Sequence, residues 1–210
     1  MPNLSSYTPS ATATAGLQFY ENSAHQYVAA SRTRQPSPDA QWLVREFGPG
    51  LSVVDAGCGD GVDTEYLLAN GMSVYAYDAS NTMVALARTR LEPLGQAVRC
   101  HRHDELRTPK KVDAVLALAS LLFLPAADLK VALRRLADNL APGGLLIASF
   151  KAGSEVRDAG DGRTFHDFEE DSLPRLARMA GLEPEDARRV KDFAGRPNDW
   201  VSFYLRKPCA

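Results

Sequence analysis

The densest cluster of chemically useful residues is Asp55-Ala56-Gly57-Cys58-Gly59-Asp60-Gly61, which follows the apolar pair Val53-Val54 and sets glycines at alternate positions behind an acid. Backbone without side chains at Gly57 and Gly59 lets a ligand come close, because a Cβ there would fill the ligand's space. The dinucleotide fingerprint wants a third glycine one position beyond Gly61, where this chain has Val62, so a ligand without a pyrophosphate fits better. A tight strand-to-helix turn with no ligand is the plain alternative. Asp78, closing the next apolar run, offers two carboxylate oxygens to the two hydroxyls of a ribose, although it or Ser80 would equally cap a helix opening at Asn81. A third acid, Asp104, ends the run that holds His101 and His103. Those histidines lie two apart with no third ligand in reach, so no metal is expected.

The elements that must position these groups follow an alternating pattern. Helical periodicity begins at Leu17 and runs to Ala30, and Ser37-Pro38-Asp39 supplies a cap, a first-turn proline and an acidic first turn for a second helix ending near Gly48. Strands are expected at 51–55, 73–77, 97–101, 113–118 and 145–150, with helices at 62–70, 81–91 and 127–139 between them. The last of these is amphipathic through Leu129, Ala132, Leu133, Leu136, Ala137 and Leu140, and Pro142-Gly143-Gly144 stops it. Gly153 to Gly162 reads as a loop, 171–180 as a helix, and 188–193 with 200–206 as a terminal hairpin. The resulting fold class is α/β: a Rossmann-like, doubly wound, mostly parallel seven-stranded sheet with a C-terminal antiparallel hairpin. Ligand binding then belongs at the carboxyl ends of the strands where their order reverses.

Bulk properties narrow the function classes. A length of 210 residues with 45% hydrophobic content suits one domain, taken as 16–210 behind a flexible tail at 1–15, with helices within 17–47 covering the ligand site. Lys and Arg total 24 against 26 Asp and Glu, so the net charge of −2 lacks the positive field that nucleic acid demands. The start of the chain has no signal-peptide pattern, and no apolar run reaches the roughly 18 residues of a membrane span. Cys58, Cys100 and Cys209 are too few and too scattered for a disulfide framework. A cytoplasmic protein, monomer or homodimer, is expected.

Val54 to Gly61 resembles the first motif of class I S-adenosylmethionine-dependent methyltransferases, and the resemblance extends from about Phe19 to Arg206. It implies S-adenosylmethionine as cofactor, S-adenosylhomocysteine as product and a small-molecule acceptor as partner. Asp55, Gly57, Cys58 and Gly59 would then lie beside the methionyl part, Asp78 at the ribose, Met83 near adenine and Asp104 at the adenine amino group, with Ala79, Glu105 and Ala119 also among the cofactor-binding residues. After the fourth strand, Leu116 to Phe123 lacks the Asn-Pro-Pro-Tyr motif of enzymes acting on nucleic-acid bases. It is similar to the small-molecule and tellurite-resistance-type branch, where Ser-Leu-Leu-His-Val-Pro is common. Phe123 replaces that histidine, so no catalytic base is carried over. Tyr20 and Tyr27 are candidates to face the acceptor, and Lys151, Arg163 and Arg196 to form a cationic rim for an anionic one; helix packing and solvated charges are the competing readings. Two other functions stay open: a noncatalytic S-adenosylmethionine-binding protein, and a nicotinamide-dependent oxidoreductase, which would want a Tyr-x-x-x-Lys pair that is missing. The attacking atom of the acceptor, whether O, N, S or a metalloid, is not written in the residues.

Overall fold

A computed structural model describes residues 8–30, 35–95, 97–100, 106–192 and 198–209. Its main sheet has seven strands, named here in chain order: β1 (Ser52–Ala56), β2 (Ser73–Asp78), β3 (Val98–Cys100), β4 (Val112–Leu118), β5 (Leu140–Lys151), β8 (Glu183–Val190) and β9 (Trp200–Arg206). Their spatial order is β3-β2-β1-β4-β5-β9-β8. The pairs β1/β2, β1/β4, β2/β3 and β4/β5 are parallel, while β9 runs antiparallel to both β5 and β8. Strand order therefore reverses between β1 and β4, which opens a crevice above their carboxyl ends. Val53 and Val54 are both fully buried, as expected of a central parallel strand covered on its two faces.

Six α-helices are described: α1 (Ala11–Ala30), α2 (Pro38–Phe47), α3 (Val62–Ala69), α4 (Asn81–Leu91), α5 (Ala126–Asn139) and α6 (Leu173–Met179). Ser37 caps α2 by accepting from Ala40 N at 3.1 Å, as its sequence signals require. In the first turn of α2, Asp39 is buried and accepts the hydroxyls of Ser202 and Tyr204, each at 2.6 Å, which fastens the helix to β9. The stripe on α5 is buried as its spacing demands, with Leu129, Leu133 and Leu136 entirely enclosed. Each contributes about 1.5–3 kcal/mol of hydrophobic stabilisation.

Four boundaries differ from the sequence expectation, the simplest being β5, which begins at Leu140 rather than Leu145 and takes in Pro142-Gly143-Gly144. Helix α1 starts at Ala11, inside the segment expected to be a tail, because Ser10 Oγ accepts from Ala13 N at 3.3 Å and Ser10 N donates to Asp128 Oδ2 at 3.0 Å. The expected loop at Gly153 to Gly162 contains part of a small antiparallel hairpin, β6 (Val156–Asp158) with β7 (Thr164–His166). Strand β8 begins at Glu183 rather than Arg188, since pairing with β9 extends it through a charged stretch and Pro184. An edge strand tolerates both, having one side without a ladder partner.

Candidate functional site

The turn after β1 is folded by backbone. The amides of Gly57 and Cys58 both donate to Tyr77 O, at 2.7 and 2.9 Å, which curls the turn toward the end of β2. Gly57 holds φ at 91°, and a Cβ there would stand 2.3 Å from Ser120 Cβ, so only glycine lets the loop after β4 seat on the turn. At Gly59, with φ 56°, nothing lies within 4 Å of the corresponding position. Asp55 is buried behind the turn and accepts from Thr64 Oγ1 at 2.5 Å, tying β1 to the start of α3. Asp60 and Glu65 receive Arg90 from α4 at 2.9 and 3.0 Å.

Asp78 sits at the junction of turn and helix. Its Oδ2 accepts from Gly59 N and its Oδ1 from Ser80 N, both at 2.9 Å, while Ser80 itself caps α4 by accepting from Met83 N at 3.2 Å. A carboxylate has about four acceptor positions, so two bonds to amides leave capacity for a ligand's hydroxyls. Burial raises the Asp78 carboxyl above its ordinary value, and the bonds from Ser80 and Gly59 only partly offset it. Burial first, then Asp55 and Asp78, also push the Cys58 thiol up. The thiol therefore stays protonated and is a poor nucleophile. Across the crevice, Ala119 is exposed and held at φ 52°, with its amide bonded to Ser149 Oγ at 2.9 Å, and Ser120 Oγ donates to Ala56 O at 2.8 Å. A non-glycine residue in that conformation costs on the order of 1–3 kcal/mol.

Aromatic side chains gather between α1, the loop after β4 and β7. The Tyr20 ring meets Phe19 at 5.2 Å, Tyr27 at 5.4 Å and Phe123 at 5.8 Å, and Phe123 meets Phe165 of β7 at 5.4 Å. Gly16 of α1 makes room for the Phe123 ring, since a Cβ at 16 would come within 2.8 Å of it. The Arg163 guanidinium lies 3.9 Å from the Phe19 ring centre and 5.3 Å from that of Phe165, and it donates to Tyr20 Oη at 3.3 Å. Asp161 balances its charge at 2.6 Å. Burial, reinforced by Tyr27, keeps the Tyr20 phenol protonated far above neutral pH.

Residues 53–144 match the family model described as a methyltransferase domain. The chain is 35% identical over 179 residues to the trans-aconitate 2-methyltransferase of Methylobacterium nodulans, covering 82% of this chain and 61% of that one. It is 31% identical over 170 residues to the ubiquinone biosynthesis O-methyltransferase of Ruegeria pomeroyi, covering 72% and 66%. Residues 53–144 thus form a methyltransferase domain. A crystal structure of the Burkholderia thailandensis 1,6-didemethyltoxoflavin-N1-methyltransferase, with 1,6-didemethyltoxoflavin and S-adenosylhomocysteine bound, shares the methyltransferase fold with a TM-score of 0.79 over 98% of this chain and 93% of that one, at 23% identity. The matched regions span from 24% to 66% of the length of the first curated relatives. None of these matches supports a nicotinamide-dependent oxidoreductase.

The fold gathers Gly57, Cys58, Gly59 and Asp78 at the ends of β1 and β2, sets Ala119 next to Ser120, which seats on Gly57, and buries Met83 at the start of α4. The open cradle at Gly59 and the acceptor capacity of Asp78 fit the cofactor. Asp55 faces inward to Thr64 and supports the turn. Lys151 departs from the expected rim: it is buried, ion-paired with Asp192, bonded to Asn198 O at 2.9 Å and stacked 4.1 Å from the Trp200 ring centre. The antiparallel pairing of β5 and β9 sets Lys151 opposite Trp200 and encloses it. Asp104, Glu105, Arg196, His101 and His103 lie outside the described residues. Among the described residues, no three His, Cys, Asp or Glu side chains gather as a metal site, and no helix is long and apolar enough to cross a membrane. Sequence reasoning missed Ser120, Ser149, Thr64 and Phe165. Ser120 alone had a local signal, as the polar residue that follows a buried strand.

Proposed function

We propose that this chain methylates a small, planar, anionic acceptor held between the glycine turn and the aromatic wall of α1 and β7. When bound, S-adenosylmethionine supplies a sulfonium-activated methyl group, and S-adenosylhomocysteine is the product. Asp78 would accept the ribose hydroxyls, the Gly57–Gly59 backbone would line the methionyl part, and Ala119 would complete the cofactor site. The rings of Tyr20, Tyr27 and Phe165 offer flat apolar surface, and Arg163 supplies a cation at its margin. Tyr20, held protonated, serves as a hydrogen-bonding group rather than a base. An acceptor already ionised at the attacking atom needs no base, so alignment and exclusion of water become the protein's main tasks. The relatives named as a trans-aconitate 2-methyltransferase, a ubiquinone biosynthesis O-methyltransferase and a 1,6-didemethyltoxoflavin-N1-methyltransferase support a small-molecule acceptor, and the sequence likeness around 116–123 supports the tellurite-resistance-type branch.

The single observation that carries this reading is the Asp78 carboxylate, bonded to Gly59 N and Ser80 N beside open space at the turn. Asp78→Ala is expected to raise the dissociation constant for S-adenosylhomocysteine roughly 10- to 100-fold by calorimetry, because a charged acceptor contributes about 1.5–3 kcal/mol. Unchanged affinity would remove Asp78 from the site. Methyl release measured as S-adenosylhomocysteine formation against a panel of aromatic and aliphatic carboxylates and phenolates then distinguishes an enzyme from a noncatalytic binder.

A further inference from the structure

Helix α4 begins at the lip of the cofactor site, and the groups that satisfy its first turn come from two directions. Ser80 supplies one acceptor locally. The amides of Asn81 and Thr82 instead donate to the carboxylate of Glu21, on α1, at 2.7 and 3.2 Å. Asn81 Nδ2 also reaches Glu21 Oε1 at 3.3 Å, and Thr82 Oγ1 lies 2.9 Å from Oε2 and 3.0 Å from the Glu21 carbonyl oxygen. A carboxylate placed there meets both unpaired amides and the positive end of the helix dipole. Burial opposes its charge, yet the bonds from Asn81 and Thr82 outweigh burial and hold the carboxyl below its ordinary value.

These contacts close a circuit around the site. On one side, Asp78 links the glycine turn to the residue before α4. On the other, Tyr20, the residue next to Glu21, packs on Phe123, and Ser120 three positions earlier seats on Gly57. Glu21 stands where the cofactor half of the circuit meets the acceptor half. We propose that Glu21 is a positioning residue that couples occupancy of the cofactor site to the order of α1 by capping α4 from the acceptor side. The inference rests on the cofactor reading above. It acts through Asn81 and Thr82, and by linkage whatever cofactor binding does for α1, an ordered α1 does for cofactor binding.

Hydrogen–deuterium exchange on the full chain, with and without S-adenosylhomocysteine, tests it. In the wild type the ligand is expected to slow exchange along 11–30 as well as around 55–61. In Glu21→Ala the ligand should still bind, with a dissociation constant raised about 2- to 5-fold, and protect 55–61, but its protection of 11–30 should vanish. Glu21→Gln, which keeps one carbonyl acceptor, and Thr82→Val, which removes the hydroxyl at the other end, should each retain part of it. Full ligand-dependent protection of 11–30 in Glu21→Ala would overturn the proposal. So would equal loss of protection in α1 and β1 without ligand, which would make Glu21 a general stability residue. Calorimetry with no binding to the wild type would instead bring down the cofactor reading itself.

Discussion

The two sides of the proposed site are built by different means. The cofactor side is mostly backbone around the Asp78 carboxylate: Gly57, Gly59 and Gly61 at positive φ, four amides bonded to Tyr77 O or Asp78, and one strained alanine opposite. The acceptor wall is made of side chains drawn from α1, the loop after β4 and β7, held by ring contacts and a stacked guanidinium. Backbone geometry has few ways to vary without breaking the turn, whereas a wall of side chains changes shape with each substitution. A shared cofactor and divergent acceptors follow from that division of labour.

The division can be tested by damage on either side. The largest effect is expected for Lys151→Ala, which leaves Asp192 charged and enclosed: a loss of roughly 3–5 kcal/mol of stability, read as a lowered melting temperature. Cofactor affinity below that temperature should hold, since Lys151 is part of the frame of β5 and not of the crevice. Gly57→Ala strikes the backbone wall, combining a left-handed alanine with a clash on Ser120 for about 2–5 kcal/mol; here binding should fall together with stability. Acidification offers a reversible version of the same blow. Cofactor binding favours the ionised Asp78, whose carboxyl is raised, so affinity should be full at high pH. It should decline as pH falls through the raised value, by at most about tenfold per pH unit, and a calorimetric series on Asp78→Asn should lose that slope. Arg163→Ala, on the side-chain wall, should raise the KM of an anionic aromatic acceptor about 2- to 30-fold, the range of a cation–π contact, with cofactor affinity unchanged. Equal loss of both would show that the walls are not independent. The smallest change is chemical: alkylation at pH 8 should modify exposed Cys209 well before Cys58, whose thiol is buried and raised.

Legibility in the sequence tracks the same boundary. The turn at 55–61, the acid at Asp78 and the cap at Ser37 are encoded within a few residues of where they act, so residue type and spacing reveal them. The amphipathic α5 is legible because its period is local and its burial uniform. The start of α1 carries a local serine cap at Ser10 that the sequence reading passed over, whereas the burial of Lys151 depends on β9 folding back along β5 and the extension of β8 on a ladder partner, neither of which has a local signature. Asp39 looks like an ordinary first-turn acid, and only the fold shows it binding two hydroxyls of β9. Glu21 is similarly mute, one exposed-looking acid in a helix until Asn81 and Thr82 are brought to it.

Gly16 carries a consequence for selectivity. Glycine within a helix forfeits roughly 0.8–1.0 kcal/mol relative to alanine, and here the missing methyl forms a notch that admits the edge of a phenyl ring. The depth of that notch sets the clearance between the covering helix and the floor beneath it. A single carbon added at that point would push the helix off Phe123, so on the proposed reading the room left for an acceptor would depend in part on an atom that is not there.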